Sequence, residues 1–381
     1  MSSIIELKLI GMDTSTLAGL AGDLYSSVPA RKRDGEQFVA ELSARGWLPV
    51  VMFESVKELV QHGNDRTVDN RISMFNKFSQ VAHVDSVKYP GVPGTICDVL
   101  AREVRAFQSA TTSDVLSIAM AVRADLFGYC DGRILARWLI EWVNILRPII
   151  QDGHEREKHL SSISHIDIMG VSDKRVQDFR MDYRVDRDAI EHHHRSLEDE
   201  VNTLLRLRGV KGVDHGEFAK QFALDSASEL TALLGPDGSC TFEDLKKRLL
   251  RDYGIDTNRL NDEMTVGEVA EMAGFNHKLK VASRALGLSQ AVTVGDIPID
   301  KCPSEMVRIG LDRCRRSAPR AQTGDLMDSH LASLACYCDL TIVDKRTREY
   351  LHQLQLKNET VKELMGRVES LSKYTDLLHL L

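Results

Sequence analysis

The sequence lacks several features that would have narrowed its function at once. It has no excess of basic residues: 49 Lys and Arg stand against 56 Asp and Glu, for a formal net charge of -7. A protein that holds nucleic acid through overall charge alone is thereby excluded, though one local basic patch is not. No stretch approaches the roughly 20 apolar residues that a membrane span needs. The opening MSSIIELKLI carries no basic flank and no long apolar region, so it is not expected to be a signal peptide. There is no GxxxxGK[ST] loop, no convincing GxGxxG and no HExxH spacing around His154 or His159, so neither nucleotide-driven mechanics nor a zinc hydrolase of that type is indicated. Internal repeats and low-complexity tracts are missing too. Seven cysteines, odd in number and irregular in spacing, do not make a disulfide framework; a reducing, cytoplasmic setting is expected.

What is present reads as a globular chain of 381 residues, 43% hydrophobic and 28% charged, long enough for more than one domain. Ile4 to Met12 is apolar and predicts a strand. Asp13 follows it, then Thr14, Ser15 and Thr16, which suit a helix start, and Leu17, Leu20 and Leu24 continue at helical spacing. A helix from Gln37 to Arg45 is expected to stop at Gly46. Leu48 to Phe53 predicts a second buried strand with Pro49 tolerated near its start. Glu54 then opens a helix whose apolar side is Val56, Leu59 and Val60. Near the C-terminus the pattern returns: Asp325 to Tyr337 has helical spacing, Leu340 to Val343 predicts a strand, and Asp344 follows directly. Strand and helix in alternation predict a parallel sheet covered by helices.

Between these ends the expected character is helical. Ile134, Trp138, Trp142 and Leu146 fall along one face, as do Ile190, Leu197, Val201 and Leu204. Ser239, with Glu243 and Leu245 after it, reads as a helix start. His192, His193 and His194 point in different directions on a helix and make a poor metal site. Cys336 and Cys338 read as core thiols, and His330 as structural. Glu359 to Leu381, with Val361, Leu364, Val368, Leu371, Leu378 and Leu381, predicts an amphipathic C-terminal helix packed on its own domain, with a partner or dimer helix as the other reading.

The chemistry lies in the acids. Asp13 follows the first strand; Glu54 and Glu58 follow the second and share a helix face; Asp325 and Asp328 share another; Asp344 follows the last strand. In an open parallel sheet the ligand site lies beyond the carboxyl ends of the strands, so neighbouring strands would bring these carboxylates together. Converging carboxylates repel and call for a cation, and an all-oxygen set suits Mg²⁺ or Mn²⁺. Such ions act on phosphate esters. Arg308, Arg313, Arg315, Arg316 and Arg320 lie ahead of Asp325, and Lys345, Arg346 and Arg348 flank Asp344. They read either as a solvated loop or as a grip on a polyanion. Arg31, Lys32 and Arg33 read as a loop charge cluster.

Three segments together resemble a PIN domain. They are Leu9-Ile10-Gly11-Met12-Asp13-Thr14-Ser15, then Trp47 through Leu59, and Gly324-Asp325-Leu326-Met327-Asp328-Ser329-His330 continuing through Cys338 to Arg346. The resemblance covers residues 1 to 85 and 305 to 352. It implies a Rossmann-like α/β/α sandwich that cuts RNA, and occasionally DNA, with Mg²⁺ or Mn²⁺. It also implies that Asp13, Glu58, Asp328 and Asp344 bind metal, with Asp325 in the catalytic set. Thr14 and Ser15 would orient a ligand or water, and Arg316, Lys345 and Arg346 would meet substrate. The family often places Thr or Ser two residues before the last aspartate; here the order is Val343-Asp344-Lys345. Glu54 and Glu58 compete for one role, and the sequence does not choose.

The organisation expected is a discontinuous catalytic domain (1–150 and 301–356), a mainly α-helical insertion or second domain (151–300) and a C-terminal helix (357–381). The implied reaction is phosphodiester hydrolysis by a metal-activated water attacking phosphorus in line, the 3′ oxygen leaving. The function expected is an endoribonuclease, in the manner of a toxin or defence effector. The alternatives are a non-catalytic scaffold acting through the helical region, with a protein partner or a second copy of itself, and a phosphatase or DNA nuclease built on the same acids.

Overall fold

The computed structural model describes residues 7–109, 114–145, 147, 173–175, 184–207, 214–232, 234–241, 247, 250–251, 255, 261, 263–316 and 325–381. The chain is mixed α/β. A six-stranded, mostly parallel sheet is built from β1 (Lys8–Met12), β2 (Trp47–Val51), β3 (Val81–Val84), β4 (Phe127–Cys130), β7 (Leu340–Ile342) and β8 (Arg367–Glu369), in the order β4-β3-β2-β1-β7-β8. Only β4 runs antiparallel, against β3. Elsewhere a two-stranded sheet pairs β5 (Arg184–Asp186) with β6 (Ser239–Thr241).

Side chains alternate along each strand, and the alternation divides the interior into two cores. Leu9, Leu48, Val50, Ala82 and Val84 enter one core. Ile10, Met12, Val51, Val81, Leu340 and Ile342 enter the other. Helices cover both faces. On the second core lie α1 (Thr14–Leu24), α2 (Pro29–Ala44), α3 (Phe53–Val60), α4 (Asp65–Ser73) and α7 (residues 132–145). On the first lie α5 (Ile96–Ser109), α6 (Val115–Leu126), α11 (Pro303–Arg316), α12 (Asp325–Ser333), α13 (Lys345–Lys357) and α14 (Glu359–Leu364). Strands buried on both sides explain why β1, β2 and β7 read as unbroken apolar runs rather than as alternating ones.

Within the stretch expected to be helical, α8 (Arg187–Leu207) and α9 (His215–Ala232) pack on each other through Leu197, Val201, Leu205, Ala219 and Ala223. The side chain of Leu204, and His154, His159, Leu146 and Arg320, lie outside the described residues. α10 (Val266–Ala285) belongs with the sheet's helices instead: its Phe275, Leu279 and Ala282 pack with Leu100, Ala101 and Val104 of α5.

Four expectations are corrected. The stretch after α6 contains an edge strand, β4, which the short sequence Phe127-Gly128-Tyr129-Cys130 does not announce. Ser239 begins a strand and not a helix. α2 starts at Pro29 rather than Gln37, because proline fits the first helical turn, where its missing N–H costs nothing. The segment after 357 is not one amphipathic helix: α14 ends at Leu364, the chain adds β8 beside β7, and Tyr374–His379 closes as a short 3₁₀ turn. Gly366 explains the break. A Cβ there would stand 2.1 Å from the Cys338 carbonyl oxygen, so only glycine lets the two backbones approach. The leucines expected on a single face are instead divided, Leu364 going to one core and Leu371, Leu378 and Leu381 to the other.

Candidate active site

β2, β1 and β7 are parallel neighbours, so their carboxyl ends emerge side by side. Asp13 leaves β1 with its amide still in the ladder, donating to the Ile342 carbonyl at 3.1 Å. Its side chain caps α1: one carboxylate oxygen accepts from the Thr16 amide at 2.9 Å and the other from the Ser15 hydroxyl at 2.7 Å. Asp344 repeats the device after β7, capping α13 by accepting from the amides of Arg346 (2.7 Å) and Thr347 (3.1 Å). A cap residue must sit at the junction of strand and helix with an oxygen aimed at the free amides. That requirement fixes both carboxylates at the carboxyl end of the sheet.

A narrow cleft beside Asp13 is lined by Met12, Asp13, Thr14, Met52, Glu54, Glu58, Met327 and Asp328, among others; Asp344 stands next to Asp328 but does not line it. Asp328 comes from α12 and Glu58 from α3. The Thr14 hydroxyl donates to Glu58, tying α1 to α3. The Thr347 hydroxyl donates to Asp328 at 3.3 Å. Arg315, almost fully buried, lies 3.9 Å from Asp328 and donates to the Thr347 hydroxyl at 3.0 Å.

The electrostatics are those of acids short of positive charge. Burial pushes the Asp328 carboxyl up to about 8; the neighbouring Asp344, within hydrogen-bonding reach, and Glu58 add to the rise, and Arg315 offsets part of it. Asp344 goes the other way. Its own burial is outweighed by the Thr347 hydroxyl, the Asp328 carboxyl and the two capping amides, so it is held below the ordinary carboxylate value. The two carboxyls are thus driven in opposite directions, Asp328 up and Asp344 down, as befits close acids competing for one proton. Glu58 is raised chiefly by burial and further by Asp13, against the Thr14 hydroxyl and Arg71. Glu54 is raised by burial to about 7. One of its oxygens accepts from the Ile96 amide at 3.0 Å, at the start of α5, and the other is buried without a hydrogen-bond partner.

The structure therefore separates the two glutamates that the sequence left in competition. Both line the cleft, but Glu54 anchors the start of α5, whereas Glu58 interacts with Asp13 and Asp328. Thr14 and Ser15 are engaged with the acids themselves. Lys345 is exposed on the first turn of α13, and Arg346 is half-buried beside Arg315. The side chains of Asp325 and Arg316 lie outside the described residues.

The basic segment is not a loop. Arg308, Arg313 and Arg315 lie on α11, where Arg308 binds Glu305 and Asp312 and Arg313 binds Glu271. Two contributors were missed in the sequence, Thr347 and Arg71. Thr347 carried a faint signal, standing three residues beyond a strand-ending aspartate, where a capped amide belongs. Among the described residues, no three carboxylate, imidazole or thiol side chains stand close enough to enclose an ion as they are placed.

The chain matches no family model, no curated protein and no solved structure.

Proposed function

We propose that the cleft at the carboxyl ends of β2, β1 and β7 is the active site of a metal-dependent phosphodiesterase of Rossmann-like, PIN-like design, with RNA as its substrate. The observation that carries this reading is geometric: Asp13, Glu54, Glu58 and Asp328, from one strand end and two helices, line one cleft, and Asp344 caps the helix that follows the neighbouring strand. Buried carboxylates kept in contact without a compensating cation are destabilising unless a ligand supplies the charge.

The donor set fits a hard divalent ion. It consists wholly of oxygen, and Mg²⁺ keeps several waters and needs only one or two carboxylates directly, so a closed cage of three is not required. Asp13, Glu58, Asp328 and Asp344 would hold Mg²⁺ or Mn²⁺. When bound, the ion would polarise the phosphate and make water a better nucleophile at neutral pH. The chain's own part is positioning. The two helix caps fix Asp13 and Asp344, Thr14 orients Glu58, and Thr347 with Arg315 orients Asp328. Lys345, at the exposed rim, would meet substrate phosphate.

The test is cleavage of end-labelled total RNA by the full chain with Mn²⁺, Mg²⁺ or EDTA, beside Asp13→Asn and Asp328→Asn. Metal-dependent cutting that both variants lose supports the reading; variants that cut as wild type end it. Single-stranded DNA and a small phosphoester in the same assay separate a DNA nuclease and a phosphatase from a ribonuclease.

A further inference from the structure

α3 borders a second hollow, larger than the acid cleft and different in chemistry. It encloses about 250 Å³ and is lined by Phe53, Val56, Pro93, Trp138, Trp142 and Glu141, among others. Two of the protein's three tryptophans are here, one turn apart on α7, and Trp142 is 38% exposed. Glu141 is exposed, and Arg137, also exposed, stands one turn before it on the same side of the helix. Aromatic walls with a single carboxylate suit a flat ring system that carries N–H donors at its edge. The volume suits one such ring and is too small for a stacked pair of strands.

The position matters as much as the lining. On α3, Phe53 and Val56 border this cavity while Glu54, Ser55 and Glu58 border the acid cleft. One helix, about 10 Å across, divides the two. A strand with its phosphate at the acids could set a nearby base in the cavity.

We infer that this cavity receives an unpaired nucleobase of a single-stranded nucleic acid, stacked on Trp142 and Trp138, with Glu141 accepting from the base's amino group and Arg137 near the backbone. The inference rests on the phosphodiesterase reading of the cleft for its choice of ligand. Stacking tolerates any base. The Glu141 carboxylate adds a preference for bases that carry an amino group, such as adenine, over uracil. A duplex, whose base faces are already stacked, is excluded.

The experiment is fluorescence anisotropy of a labelled ten-residue oligoadenylate with the full chain in EDTA, so that nothing is cut. Competitors are oligouridylate and a duplex of the same length. Trp142→Ala is expected to weaken binding roughly tenfold, and Trp142→Phe, which keeps a ring, to restore most of it. Glu141→Gln should narrow the gap between oligoadenylate and oligouridylate. Equal binding by Trp142→Ala and wild type, or a duplex that competes as well as single strands, overturns the inference. The two readings fail separately. Metal-dependent cleavage lost in Asp13→Asn, with Trp142→Ala binding normally, leaves the cleft and removes the base pocket. Loss of binding in Trp142→Ala by a chain that cuts nothing leaves the pocket and removes the nuclease.

Discussion

Two buried acidic residues on neighbouring helices show opposite solutions to one physical problem. Glu305, on α11, is 1% exposed, yet its carboxyl is pulled down to about 2. Burial works against that, but Lys278 holds both of its oxygens, at 2.8 and 3.1 Å, and Arg308 adds a third contact at 2.9 Å. Asp328, on α12, is buried less completely and is pushed up to about 8, first by that burial and then by the Asp344 and Glu58 carboxylates, while Arg315, 3.9 Å off, offsets only part. One site is finished by the chain's own cations; the other has an anionic surplus that only a proton or a bound cation can settle. Depth of burial does not distinguish a structural acid from a chemical one. The supply of positive charge does.

The comparison breaks first on stability. Glu305→Gln leaves Lys278 and Arg308 facing a neutral group in the interior and should cost about 3–5 kcal/mol, measured by urea denaturation. Asp328→Asn should cost little by the same measurement, since the native residue is already neutral at pH 7. A large loss from Asp328→Asn, or none from Glu305→Gln, would mean that the two sites are not opposites.

The next effect is on activity, with the signs reversed. Glu58→Gln and Asp328→Asn should each lower metal-dependent RNA cleavage on the order of a hundredfold, while the folded fraction of Glu305→Gln retains it.

The third effect is on pH. The folded chain keeps a proton on Asp328 up to about 8, whereas an unfolded carboxyl releases it near 3.8. Folding without metal therefore takes up a proton in that window, and stability falls as pH rises from about 4 to 8. An ion displaces the same proton, so Mn²⁺ affinity should rise roughly tenfold per pH unit between about pH 6 and 8 and level off above. Titration calorimetry in buffers of different ionisation enthalpy reads the proton directly. Asp328→Asn should flatten both profiles.

The smallest effect is at Thr14. Thr14→Val removes the hydroxyl that holds Glu58 and should slow cleavage roughly tenfold or less, with the acidic limb of the rate profile moved upward, since that hydroxyl is what lowers Glu58.

How much of this could be read beforehand follows from where each signal sits. Asp13 and Asp344 were legible because each ends an apolar run and starts a helix, a local pattern that needs no knowledge of neighbours. Strands β1, β2 and β7 were legible for the same reason. Glu54 and Glu58 could not be ranked, because four-residue spacing puts them on one face, and only the packing of α5 against Glu54 separates them. Arg315 looked like one member of a basic run; its burial beside Asp328 depends on helices α11, α12 and α13 meeting, which no local pattern encodes. Strands β4 and β8 hold four and three residues, too few to set a period of two. Gly366 marked the turn into β8, but a glycine after an apolar helix announces an ending and not what comes next.

The strand order has one further consequence, for synthesis. β1 leaves the ribosome long before β7, its partner on one side, which is made after every other strand of the sheet except β8. Until Leu340 to Ile342 emerge, one edge of β1 has no strand to bond with, and Asp344 has not yet been made. A nascent or truncated chain thus has half a cleft and a bare edge. By this design the cleft's neighbouring strands are complete only once β7 has been made, and shorter chains expose a sticky β-edge that chaperones or proteases can recognise.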